Sequence, residues 1–461
     1  MIEHGERAKR LQEVSAVHLG NLTSYTGFFT VDALKGSNMF FWYFPAMNGN
    51  AAAPLLVWLQ GGPGGSSMFG LFHEIGPFSL SKQNGKVKLD PRETTWNKRY
   101  SLLFIDNPVG AGFSYTSSQS GYPTTEEEVA KNLLSCLLQF YLVFPSSLKV
   151  PLYITGESYA GHYIPAFGFA ILQHNDMLVP DSPERVPLAG IAIGDGWIDP
   201  INMVPVYPQL LLETGLIDTA ASVKFDEMCS KIVTAIKSKY MELAFETWDE
   251  MINGDLFPYG SLFFNYTGSY DYDNFLNTDQ PQEFSLYAEY LDTKDVREQI
   301  HVGSVPFGTN ASDCEKSLKS DFMRSMVPEL TALIAKTKVL IYSGNLDIIV
   351  GAPLTEAFMS KLKFDGSAGF HAASRRPYKL SSSSSDVAGY VRHWGNLTQV
   401  VVRGGGHILP HDQPVASLDM ITRFVETKGG WCSCDDSTCS KKGDDSEVCC
   451  PSGVCQGRST S

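Results

Sequence analysis

The chain has 461 residues, 43% of them apolar, with all residue types well mixed, which excludes a disordered or fibrous protein and allows one large domain or two modest ones. A formal net charge of −14 argues against a nucleic-acid or anionic-membrane partner, because either would need a positive footprint. No window reaches the roughly 18 uninterrupted apolar residues of a membrane helix, so no membrane span is expected.

The opening stretch "MIEHGERAKRLQEV" lacks the apolar centre of a signal peptide. Two other features point away from the cytosol. Six of the nine cysteines crowd into residues 432–455, and Asn-x-Ser/Thr acceptors occur at Asn21, Asn265, Asn310 and Asn396. Crowded cysteines imply an oxidising compartment. A secretory or lysosomal address is therefore expected, with a leader peptide missing from this chain.

Strand signals come first: "SYTGFFTVD", "NMFFWYFPA" and "PLLVWLQ" are aromatic and β-branched runs separated by turn residues. "SLLFIDN" follows, and then a helical period over 125–144 places Val129, Leu133, Leu137 and Phe140 on one face behind Thr124 and Thr125 as caps. "PLYIT" leads into a helix from about 161, and "LAGIAIGD" reads as another buried strand. Strand and helix in alternation predict an α/β fold with a mostly parallel sheet. Residues 200–332 carry acidic, Lys-rich helical periods and few strand signals, as a helical insertion would. The sheet pattern resumes with "KVLIYSGNLD" and "TQVVVRGGGH", and a helix opens near Pro414. The predicted organisation is core over 20–199, insertion or lid over 200–332, core again over 333–428, and a Cys-rich tail over 429–461.

Chemistry concentrates where "LYITGESYAGHYIPA" breaks at Gly156-Glu157-Ser158-Tyr159-Ala160-Gly161. Gly-x-Ser-x-Gly between a strand and a helix is the nucleophile elbow, which stands a serine hydroxyl at the carboxyl edge of a sheet. Asp347 follows the strand "VLIY" and His407 follows "QVVVR", so the chain order Ser, Asp, His is that of the α/β-hydrolases. In that arrangement Ser158 attacks a carbonyl, His407 takes and returns its proton, and Asp347 orients the imidazole. The oxyanion hole would come from the backbone N–H groups of Tyr159 and Gly62, the latter in "GGPGG".

The blocks "WLQGGPGGSSMFGLFHEIGPF", "IDNPVGAGFSY", "GESYAGHYIP", "GIAIGDGWIDP", "YSGNLDIIV" and "GGGHILPHDQP" resemble the serine carboxypeptidases, especially their vitellogenic-like branch, over roughly residues 20–428. The resemblance implies an α/β-hydrolase fold and hydrolysis of the last peptide bond of substrates with a free C-terminus. It also implies that Gln60, Glu74 and Glu157 grip the substrate's terminal carboxylate, and that the helical insertion caps the acyl-side pocket. Two departures stand out. The family commonly has a cysteine where this chain has Gly65, so the disulfide anchored there is expected to be absent and the oxyanion loop less constrained. Asn345 stands where an aspartate is frequent, and Gln60 where many relatives have asparagine.

A glutamate directly before a serine nucleophile would oppose its deprotonation if it were charged. Two carboxyls forced together cannot both ionise easily, so the Glu74–Glu157 pair is expected to hold a proton and donate it to a substrate carboxylate at acidic pH. Two other functions use the same residues. One is acyl transfer onto an alcohol by the same triad; the other is a catalytically idle, secreted partner-binding glycoprotein whose tail does the work.

Other groups read more plainly. His73, His162, His371, His393 and His411 have no metal-like spacing and are expected on the surface or behind the site, so neither metal nor cofactor is expected. Asp106 and Asp195 end strands as Asp347 does, but they read as turn-capping acids. Cys136 reads as a buried thiol, and Cys229 and Cys314 could pair within the insertion. The tail's six cysteines suffice for three disulfides.

Overall fold

A computed structural model describes residues 2–256, 260–308, 311–381 and 384–426, with no side-chain description of 2–4. The expectations about Asn310 and the Cys-rich tail lie outside these residues.

Eleven strands form one sheet. At its centre six run parallel: Ser101–Ile105, Leu55–Leu59, Leu152–Glu157, Leu188–Gly194, Lys338–Gly344 and Leu397–Val402, in that spatial order. Their residues are almost wholly buried, as strands covered on both faces must be, and this is why they read as apolar runs. Because the six point the same way, the loops after Leu59, Ile105, Glu157, Gly194, Gly344 and Val402 gather at one edge. The architecture is that of the α/β-hydrolases.

Of the sheet's margins, the runs "SYTGFFTVD" and "NMFFWYFPA" announced Leu22–Asp32 and Ser37–Phe44, while the remaining edge strands and a small hairpin were not revealed. Ala16–Leu19 and Leu22–Asp32 precede Ser37–Phe44 on one side, and Gly389–Trp394 and Arg376–Tyr378 close the other, all antiparallel. A separate hairpin pairs Phe78–Gln83 with Lys86–Pro91. The hairpin strands and the 376–378 and 389–394 strands are partly exposed and carry lysine or arginine, so they lack the apolar run that marks a central strand.

Helix Glu126–Val143 packs on helix Ala160–Asp176 and buries Val129, Leu133, Leu137 and Phe140, the face its spacing predicts. Thr125 caps it, its hydroxyl accepting from Glu128 N. Each of those four side chains contributes about 1.5–3 kcal/mol by leaving water. Between Gly194 and Lys338 the described residues form helices and turns without a strand, the longest being Thr219–Lys237.

Cys229 and Cys314 do not pair. All three described cysteines are buried free thiols, with Cys229 against Val204 O and Met251 Sδ and Cys314 against Val109 O, in separate parts of the core. Their shared place in the insertion was no guide to distance, because that stretch folds against two different surfaces. Of the sequon asparagines, Asn21, Asn265 and Asn396 are exposed. No described helix is long and apolar enough to cross a membrane.

Asp106, at the end of its strand, is a cap as its position suggested. Its carboxyl accepts from Ser66 Oγ (2.6 Å) and Ser67 N (3.0 Å) on one loop and from Phe113 N (2.8 Å) on another. With Ser67 Oγ donating to Ile105 O (2.6 Å), it holds the glycine-rich loop that lacks a cysteine at Gly65, so that loop is anchored by polar contacts instead. Asp106→Ala strands three buried donors and is expected to destabilise the fold by about 2–5 kcal/mol, measured as a urea-midpoint shift at unchanged m-value; a loss below about 1 kcal/mol would remove Asp106 from this role.

Candidate active site

Ser158 sits between the Leu152–Glu157 strand and the Ala160–Asp176 helix with φ +64°, a left-handed conformation that costs a non-glycine residue energy. Neighbouring backbone holds it there. Ser158 N donates to Gly194 O (3.0 Å), and Ser158 O accepts from Gly161 N (2.9 Å) and Trp197 N (3.0 Å). Gly161 must be glycine, since a Cβ would lie 2.6 Å from Trp197 N. Behind the elbow, both ring nitrogens of His162 face carbonyls, of Trp197 (2.5 Å) and Arg324 (2.9 Å), so this histidine is an interior anchor rather than a surface group.

Asp347 and His407 meet across two neighbouring strand ends. Asp347 Oδ2 lies 2.9 Å from His407 Nδ1, while its Oδ1 accepts from Val350 N (3.0 Å). Both side chains are buried. Burial opposes a charge on His407, but the carboxylates of Asp347, Asp273 and Glu157 outweigh it and hold the imidazole above its ordinary pKa. The insertion fastens both loops: His407 N donates to Asp273 O (2.6 Å), and Ile348 N and Ile349 N donate to Tyr272 O (3.0 and 3.2 Å).

The glycine-rich loop lies against the elbow. A Cβ on Gly61 would come 2.5 Å from Ser158 Cβ and 2.6 Å from Tyr159 N, so the loop bearing Gly62 and the turn bearing Tyr159 share one small space. On the same loop, Gln60 Nε2 donates to Glu157 Oε1 (2.8 Å) while its Oε1 accepts from Trp58 Nε1 (2.9 Å). This fixes the amide's orientation and leaves one N–H of Gln60 for another partner.

Glu74 and Glu157 are 1% and 0% exposed, which rules out a surface ion pair for either. Burial raises Glu74 to about 8, with the nearby Arg92 guanidinium and Gln60 pulling the other way. Burial and the charge of Glu74 push Glu157 well above the usual carboxyl range. The two interact, so their protons come off as a pair. At mildly acidic pH the pair is protonated and offers O–H donors.

From Gln60 a cavity of about 1120 Å³ opens outward between the 78–91 hairpin and residues 280–287. Sequence reasoning missed its walls. His73 is 4% exposed, not on the surface; its ring lies 4.9 Å from Phe69 and 5.6 Å from Tyr287, and its Nε2 has no hydrogen-bond partner among the described residues. Burial, then His411 and Arg92, lower the His73 pKa to about 3 and keep it neutral. Arg92 is buried under the same wall, donating to Gly76 O and Phe78 O. His371 and His393 lie well away, against Met359 O and Thr398 Oγ1.

Asp195 was also missed. Its Oδ1 caps Gly344 N (2.8 Å), yet its carboxyl lies with Asp347 and His407, one ligand atom of each falling within 4.8 Å of the others. Among the described residues this is the grouping compact enough for a metal ion, but Asp347 already holds His407 Nδ1 and no further ligand joins them. The signal was available: Asp195 ends the strand between those of Ser158 and Asp347, which places it at the same edge.

Known proteins resemble this chain over most of its length. The family model described as serine carboxypeptidase matches residues 16–427. The chain is 43% identical over 428 residues to the Mus musculus "Probable serine carboxypeptidase CPVL", covering 93% of this chain and 87% of that protein. It is 41% identical to the "Vitellogenic carboxypeptidase" of Aedes aegypti, covering 91% of this chain and 87% of that one. Among solved structures, the Saccharomyces cerevisiae prohormone-processing carboxypeptidase Kex1(delta)p superposes with a TM-score of 0.78 at 25% identity, covering 90% of this chain and 96% of that chain. An elbow serine, an aspartate–histidine pair past two later, neighbouring strands and a buried acid pair beside the serine thus occur in a chain that belongs to the serine carboxypeptidase family.

Proposed function

We propose that this serine-type carboxypeptidase removes the last residue of peptides with a free C-terminus at acidic pH, through an acyl-enzyme on Ser158. Ser158 Oγ attacks the final peptide carbonyl, His407 accepts its proton and returns it to the departing amine, and Asp347 holds the imidazolium. The N–H groups of Gly62 and Tyr159 receive the oxyanion. Water then repeats the cycle on the acyl-enzyme. Residues 200–332 act as a cap, a reading supported by the backbone bonds from Tyr272 and Asp273 to both triad loops.

The observation that carries this reading is the acid pair joined to Gln60 one residue from the nucleophile. Because Glu157 precedes Ser158 in the chain, a carboxylate held there sets the reacting carbonyl a fixed distance from the end of the substrate. Arg92 adds positive charge behind Glu74. An acyl-transfer enzyme needs no such grip, and an idle binding protein needs neither a strained elbow serine nor a buried Asp347–His407 pair. A secretory or lysosomal setting fits an acid-dependent site, and Asn21, Asn265 and Asn396 are placed where glycans could attach.

Ser158→Ala is expected to lower kcat by about 10⁴–10⁶-fold while leaving the thermal melt in place; turnover within tenfold of wild type would end the acyl-enzyme reading. Raising the pH toward about 8, where burial places Glu74, begins to ionise the pair and turns donors into repelling charges. Thus kcat/KM for peptides falls from pH 5 to pH 8 and Glu157→Gln flattens that fall, whereas a wild-type profile flat over the range contradicts the grip. The terminal side chain would enter the aromatic cavity, where the neutral His73 can bond a polar tip and Arg92 and Lys82 disfavour a cation. His73→Leu should therefore cut release of C-terminal tyrosine about fivefold, the worth of one hydrogen bond, leave phenylalanine release unchanged, and keep lysine poor; equal losses for tyrosine and phenylalanine would exclude that bond.

A further inference from the structure

We propose that Asp195 is a positioning residue of the triad: it carries a proton on Oδ2 and donates it in a hydrogen bond to the carboxylate of Asp347, drawing charge away from the Asp347–His407 contact.

The geometry leaves little else for this carboxyl to do. Asp195 is 0% exposed, and among the described residues no lysine or arginine pairs with it. Its Oδ1 accepts from Gly344 N (2.8 Å), while Oδ2 is buried with no donor directed at it. A carboxylate placed so is poorly compensated, and a carboxylic acid with an acceptor nearby is not. Asp347 is that acceptor. Its oxygens already receive Val350 N–H (3.0 Å) and His407 Nδ1 (2.9 Å), so the negative charge of the two acids settles on Asp347 and the proton on Asp195. Burial first, then Asp347 and Glu157, push Asp195 well above the usual carboxyl range, which agrees with this division. The backbone bears a cost to put the group there. Asp195 has φ +43°, and its N–H is tied to Tyr342 O (2.8 Å) across the paired strand ends.

The groups around the site are Glu157, with Glu74 beyond it, on the elbow side; Asp273 from the insertion; Tyr342 on the neighbouring strand; and Tyr207 from the Tyr207–Glu213 helix. Burial keeps both tyrosines neutral, holds Asp273 near 7 and, with the charge of Glu74, keeps Glu157 well above the usual carboxyl range. At pH 5 the charge acting on His407 is therefore chiefly that of Asp347. A full anion at Asp347 stabilises the imidazolium and raises the pH at which His407 becomes a usable base. A hydrogen bond donated to that anion weakens the pull, so His407 loses its proton at lower pH. The arrangement suits a triad to acid conditions.

The test is kcat against pH under saturating substrate, where binding by the Glu74–Glu157 pair no longer limits, for wild type, D195N and D195S. An asparagine amide still donates to Asp347, so D195N keeps its acid limb at the wild-type pH. D195S loses the donor at that distance, and its acid limb moves up by about one pH unit. A downfield proton NMR titration of the His407–Asp347 hydrogen bond gives the same comparison without turnover, and a variant's melting curve shows that it is folded. An unmoved limb in folded D195S, or a limb in D195N displaced as far as in D195S, overturns the proposal. The inference rests on the triad reading, and the two fail separately: an active Ser158→Ala enzyme overturns the triad, whereas an inactive one beside an unmoved D195S limb overturns only the role of Asp195.

Discussion

Carboxyls buried close together cannot all ionise, and this constraint governs the whole site. Within a few residues of Ser158 the protein buries Glu74, Glu157, Asp195 and Asp347, with Asp273 beside His407. Arg92 is the positive group that bears on Glu74. Were all these acids ionised, mutual repulsion and lost hydration would oppose the fold itself. Protons resolve the conflict, turning excess acceptors into donors. The glutamate beside Ser158 then gives no obstructing charge, and in the proposed reaction the same proton is offered to a substrate carboxylate. Acid dependence and C-terminal recognition share one physical origin.

The scaffold makes that crowding possible. Six parallel strands bring their carboxyl ends to one edge, so residues separated by nearly 250 positions in sequence become neighbours. Each loop there is fixed by backbone or short polar contacts: Asp106 on the glycine-rich loop, Gly194 and Trp197 on the elbow, and the Tyr272–Asp273 segment on both triad loops. The last is instructive. A stretch that looks like a removable cap in the chain supplies the carbonyl that holds His407 N, so it takes part in assembling the site.

Pairs of acids recur at two levels. Glu74 and Glu157 lie beside Ser158 and Gln60; Asp195 and Asp347 lie with the His407 imidazole. The pairs differ in what surrounds them. The first is joined to the fixed amide of Gln60, which itself lines a cavity walled by Phe69, His73 and Tyr287. The second is closed in by the ends of two paired strands, so its proton can only be shared internally.

Much of this was legible in the sequence by itself, and the reason is local. Central strands such as Leu152–Glu157 are buried on both faces and announce themselves as apolar runs, and helix Glu126–Val143 shows its period. Once those elements are placed, chain order puts Ser158, Asp347 and His407 at the same edge, and two acids near one serine suggest a shared proton. Tertiary structure decided what depends on distance and enclosure. It alone separated Cys229 from Cys314, enclosed His73 among aromatic rings, put Asp195 within reach of Asp347, and replaced a missing cysteine near Gly65 by the contacts of Asp106. Edge strands such as Arg376–Tyr378 stayed hidden because their exposed side chains follow no burial pattern. Periodicity reports which face of an element avoids water; which distant side chain it meets there is set by how the elements pack, and that information is not local to any stretch of the chain.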